Sequence, residues 1–181
     1  MEIIYLMLSI SVAVILFISG ILKFLSLNEL YKKIAELLAI DNFLVKIIGT
    51  VIPLFELLIS VLLITYNESI FVNIISIIMT GIFISMNING VAKRSLKDCL
   101  CFGKFFKTKL GYGGLIQSVL LFLSLIPGLL FKTTNSINFL FYEHNLSDIT
   151  LVLFVSLLWS ITLFIIRIQV DTILYPQLDS K

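Results

Sequence analysis

Long apolar runs and short polar gaps alternate along this chain, and the runs are all of one size. Five of them, at about Ile3–Leu25, Leu44–Thr65, Ser69–Asn89, Gly113–Phe131 and Ile149–Ile168, reach the length a membrane helix needs. A bilayer core of roughly 30 Å takes about 20 apolar residues per helix. The pattern therefore predicts an all-α fold, a polytopic transmembrane bundle of about five spans. The first run is expected to be a retained helix and not a secretion signal, because Met1-Glu2 is no basic leader, the run is too long, and no small-residue cleavage site follows it.

The gaps carry their own pattern. In "NELYKKIAELLAI", Asn28–Ile40, helical spacing puts Leu30, Ile34, Leu37 and Leu38 on one face and Lys32, Lys33 and Glu36 elsewhere. That suits a short helix lying in the membrane interface, with Asn28 as its N-cap. The gap of residues 132–148 holds Phe139, Phe141 and Tyr142, aromatics that favour the headgroup level.

Composition agrees with the pattern. The chain is 59% hydrophobic and 13% charged, with a mean hydropathy of +1.11, whereas a soluble domain is about a quarter charged. The loops are too short for a second domain, so residues 1–181 read as a single integral membrane domain. A net charge of +2 gives no indication of a nucleic-acid partner; membrane lipid is the surrounding the chain requires.

Where the basic residues fall matters more than their sum. With five spans, one face collects Lys23, Lys32, Lys33, Lys46, Lys93, Arg94, Lys97, Lys104, Lys107, Lys109, Arg167 and Lys181. That leaves Lys132 alone, of 13 basic residues, on the other. Short loops follow the positive-inside rule, so the basic face is expected in the cytoplasm and the N-terminus outside.

Polar residues inside the spans stand out. Glu56 lies mid-span, three residues after Pro53. A charged acid at the bilayer centre costs at least ~2.5–3.5 kcal/mol on insertion scales, so Glu56 is protonated, hydrogen-bonded within the bundle or ion-paired. Pro53 removes the helical donor to the carbonyl of Gly49 and kinks the helix there. Lys23 ends the first span, and Gly20 before it allows another helix to approach. A boundary lysine of this kind ordinarily snorkels outward. Asn87 and Asn89 close the third span.

Both cysteines stand in "KDCLCFG", Lys97–Gly103, as Cys99 and Cys101. Residues i and i+2 in an extended or turn conformation come within the ~4.4–6.8 Å Cα separation of a disulfide. A strained bond of that kind is readily reduced. Lys97 and Lys104 favour the thiolate and Asp98 opposes it. Structural zinc takes four ligands; two thiols and His144, which the span count sends to the other face, do not supply them in one protomer. Lipidated or inert juxtamembrane cysteines remain the plain alternative.

The "CLCFG" of Cys99–Gly103 resembles the C-x-C-F-G signature of MauE-like membrane proteins, relatives of the DoxX group often described as redox-associated. "SGILKF" at Ser19–Phe24 and "PLFE" at Pro53–Glu56 look like that family's end of helix one and its helix-two Pro-x-x-Glu. "LGYGGLIQSVLLFLSL" at Leu110–Leu125 resembles the opening of the helix after the cysteines. The resemblance covers about residues 19–125, with the run at 149–168 an addition. The sequence departs from it at Gln117-Ser118, where an Arg-Asn-like pair is expected.

The resemblance implies a helical bundle that works beside thiol–disulfide proteins; the family's named member is associated with maturing a disulfide-rich subunit of methylamine dehydrogenase. Nothing in the residues points to methylamine. What carries over is exchange of Cys99 and Cys101 with a thioredoxin-like or cysteine-containing protein, as an oxidoreductase or an accessory subunit of one. If one thiol leads, it is Cys101, near the Gly103 that allows close backbone approach. Glu56, Lys23, Pro53 and Gly103 would be supporting groups. No cofactor is evident; a quinone is compatible with the membrane setting, but no residue specifies one. The alternative is a non-enzymatic bundle, a scaffold or a component of small-solute transport, peptide transport or immunity. A cytoplasmic cysteine pair also sits awkwardly with disulfide formation, which belongs outside the cytoplasm. Relay of electrons, action before export, or a first run that does not span would each resolve that conflict.

Overall fold

The computed structural model describes residues 2–38, 41–66, 69–92, 98–99, 108–109, 111–130 and 146–174. Each of the five apolar runs is a helix long and apolar enough to cross a membrane. Helix α1 is Glu2–Leu25, α2 Leu27–Leu38, α3 Asn42–Thr65, α4 Ile70–Ala92, α5 Tyr112–Leu130 and α6 Leu146–Leu174. The last helix runs past the expected end at Ile168. Gln169, Asp171 and Thr172 break the apolar run without ending the helix, because Asp171 is buried in the bundle.

The polar gap after α4 contains a small ladder. Strand β1, Asp98–Cys99, pairs antiparallel with β2, Thr108–Lys109, in the register Asp98↔Lys109 and Cys99↔Thr108. Chain direction brings this ladder, the end of α1, the start of α3, the start of α5 and the end of α6 to one end of the bundle, here the hairpin end.

Helix α1 is the most enclosed of the five spans. It packs against α3, α5 and α6, while α4 packs on α5 and more lightly on α3. Val12, Ala13, Ile15 and Leu16 meet Ile59 and Leu63 of α3, Val72 and Met79 of α4, Leu121 and Leu125 of α5 and Leu163 of α6. In lipid the hydrophobic effect does not hold helices together, so close packing and interhelical hydrogen bonds do. The α1–α6 contact uses both. Ser11 donates to the carbonyl of Ser156 at 3.0 Å, and Ser160 returns a bond to the carbonyl of Ser11 at 3.1 Å.

Helix α2 is amphipathic as expected, but its start differs. Asn28 lies inside the first turn; the turn residue Ser26 makes the junction, its carbonyl accepting from the amides of Glu29 and Leu30. Leu30 and Ile34 bury against Val45, and the Tyr31 ring covers Gly49, where an added Cβ would stand 2.6 Å from it. The Tyr31 and Thr50 hydroxyls are 2.8 Å apart. The side chains of Leu37 and Leu38 lie outside the described residues, as do Phe139, Phe141, Tyr142 and His144.

Candidate functional site at the hairpin end

Two polar clusters lie inside the apolar bundle, one at mid-span of α3 and one near the hairpin end. The first joins α1 to α3. Glu56 is fully enclosed, and Lys23 is only 5% exposed. Lys23 Nζ donates to Glu56 Oε1 as a buried salt bridge, and Ser19 Oγ donates to Oε2 at 3.1 Å. Lys23 Nζ also stands 5.1 Å from the centroid of the Phe83 ring on α4, within cation–π range.

The sequence dictates this geometry locally. Ser19 and Lys23 are one turn apart and share a face of α1. Gly20 sits between them, with Leu57 and the carbonyl of Pro53 occupying the space a side chain would need, at 2.9 and 3.1 Å from its would-be Cβ. Pro53 is therefore a packing residue at this crossing, and Glu56, one turn on, is held level with the lysine. Lys23 does not snorkel outward as a boundary lysine would. The buried carboxylate turns it inward.

The second cluster joins α4, α5 and α6. Asn87 Nδ2 donates to the carbonyl of Phe83 at 2.8 Å and to Ser118 Oγ at 3.2 Å. Arg167 NH1 donates to Gln117 Oε1 at 2.7 Å, with Asp171 one turn further as an opposite charge. Asn87, Gln117, Ser118, Arg167 and Asp171 are all buried. Gly113 and Gly114 make the crossing feasible. A Cβ on Gly113 would collide with the Asp171 carboxylate, and one on Gly114 with the Asn87 amide. Asn89, which with Asn87 closes the third span, is exposed.

Three members of this cluster, Arg167, Asp171 and Gln117, are not marked as site residues by the sequence pattern. Arg167 counted there as a loop charge because the apolar run ends a residue later. An Arg and an Asp one turn apart at that end was the available signal. The departure at Gln117-Ser118 now has a local explanation. Here the guanidinium reaches Gln117 from α6, and the amide reaches Ser118 from α4.

The backbone of Cys99 lies in β1, and β2 rests on both α5 and α6. Cys101 and Gly103 lie outside the described residues, so the structure brings Lys23, Pro53 and Glu56 together and leaves the distance from them to the thiols open. Among the described residues no group of three His, Cys, Asp or Glu could hold a metal ion.

Five apolar spans joined by buried polar contacts define a polytopic α-helical membrane protein. The chain belongs to the family described as methylamine utilisation protein MauE, whose sequence model matches residues 1–131. That match takes in α1 to α5 and the hairpin and ends before α6. No curated protein and no solved structure matches the chain.

Proposed function

We propose that this protein is a membrane component of thiol–disulfide redox handling, in which Cys99 and Cys101 exchange with a cysteine-containing partner. In the exchange a partner dithiol attacks the C-x-C disulfide through a mixed disulfide. The partner leaves as a disulfide and the C-x-C pair as a dithiol, with two electrons and two protons transferred. A thioredoxin-like protein of opposite poise resets the pair by the same chemistry in reverse. The observation that carries the reading is the pairing of both cysteines of the chain in a C-x-C whose first member stands in a strand anchored, through its ladder, on the bundle. Family membership supports it.

The basic face is proposed to be cytoplasmic. Lys23 and Arg167 are buried, but the remaining basic residues of that face still outnumber Lys132 heavily, and short loops obey this bias. The pair then takes electrons from, or delivers them to, a cytoplasmic thiol protein. Lys23 and Glu56, a charge pair buried inside the bundle, are the proposed supporting groups.

The experiment compares four variants, the two single cysteine variants, the double cysteine variant and Glu56→Gln, for the oxidation state of cysteine-containing proteins in the producing cell. Cys99→Ser and Cys101→Ser should each leave a partner misoxidised, while Glu56→Gln should weaken the effect. Full activity of the double cysteine variant together with loss in Glu56→Gln would favour the scaffold or transport reading instead.

A further inference from the structure

Helix α6 lies beyond the family match, yet it is tied into the bundle at two levels. Along its middle Ser156 and Ser160 bond to α1. Near its end Arg167 bonds to Gln117, while the Arg167 carbonyl and the Asp171 carboxylate lie against Gly113. That second contact is made with the first turns of α5, and α5 opens directly after β2. Gly111, between them, is buried, and its carbonyl accepts from Leu115 at 3.0 Å. Strand β2 touches α5 and α6, and β1 with Cys99 touches β2. The path from Arg167 to Cys99 is thus one side-chain bond, one helix start and one strand pair.

We infer that α6 positions the cysteine hairpin, with Arg167, acting through Gln117, as the positioning residue. A buried guanidinium suits the task because its planar fork loses little freedom for each bond it makes. Removing it leaves Gln117 Oε1 buried without its donor and the buried Asp171 carboxylate without its opposite charge. The start of α5 then loosens from α6, and β2, resting on both, loses its seat. In this role Arg167 works by holding the strand. The bearing of this inference on thiol chemistry rests on the redox reading above, so its test uses a background in which no disulfide forms within the chain.

In a Cys101→Ser chain Cys99 is the sole thiol, and its rate of alkylation by a maleimide in detergent reports how the hairpin is held. Arg167→Met should raise that rate by at least about tenfold, because it removes a buried hydrogen bond from a charged group and strands Asp171. Arg167→Lys, which keeps a donor, should fall between the two. Tyr5→Phe removes the 2.7 Å bond from the Tyr5 hydroxyl to Asn73 at the opposite end of the bundle, and should leave the rate unchanged. If Arg167→Met does not accumulate, Gly113→Ala separates the same helices without removing a charge and should give the same rise. An unchanged rate in these variants overturns the inference, as does an equal rise in Tyr5→Phe, which would signal general loosening. A rise confined to the hairpin end, in a protein whose native pair never oxidises, would uphold positioning while removing the redox reading.

Discussion

Lys23 and Glu56 each make sense only with the other. An unpaired charge at this depth is costly to insert, and deleting one partner of a buried pair strands the remaining charge. Lys23→Met and Glu56→Leu should therefore each destabilise the bundle by about 3–5 kcal/mol, while the double variant recovers most of the loss. Thermal unfolding in detergent as a double-variant cycle checks this, and additive losses would contradict the pairing. The sequence made Glu56 conspicuous because a mid-span acid has few physical options. It left Lys23 ambiguous, since a lysine at a span's end can turn either way and only the position of its partner decides. Arg167 was harder still, because its burial depends on Gly113 of a different helix making room.

At the scale of elements, the spans were legible because twenty apolar residues have one use in a membrane. Their neighbours were not. Which helix lies beside which is written in small residues, Gly20 against Pro53 and Leu57, Gly128 against Tyr5, Gly113 against Asp171, and a glycine does not name its partner. Gly128→Ala should destabilise the α1–α5 contact, because its Cβ would stand 2.5 Å from the Tyr5 ring. A loss of about 1–3 kcal/mol, typical of overpacking, is expected in the same unfolding assay. Helix α2 offers a separate test. It is held to α3 by one small apolar cluster and the Tyr31–Thr50 contact. Gly49→Leu should displace the Tyr31 ring and expose α2 to protease, with the transmembrane spans still protected; an unchanged digestion pattern would contradict that packing.

For the whole molecule, five spans place the two ends of the chain on opposite faces, and the basic residues choose between them. Cysteines introduced singly at Lys46 and at Thr65, in a chain lacking Cys99 and Cys101, should be blocked by an impermeant maleimide in opened cells only and in intact cells, respectively. The reverse pattern would invert the proposed orientation and turn the hairpin outward, where direct oxidation of an exported protein becomes the natural chemistry. The fold itself does not depend on this choice; the direction of electron flow in the proposed exchange does.

Under the proposed function the C-x-C pair changes oxidation state in the cell, and acid-quenched trapping of its thiols reads that change. Cells are quenched, free thiols are alkylated, disulfides are reduced, and the newly released thiols receive a heavier tag that mass spectrometry counts. Two populations are expected, one with both thiols free and one with both released only by reduction, whose ratio shifts when the medium is made oxidising or reducing. A pair that stays fully reduced under every condition, or that carries permanent lipid on both sulfurs, would contradict it.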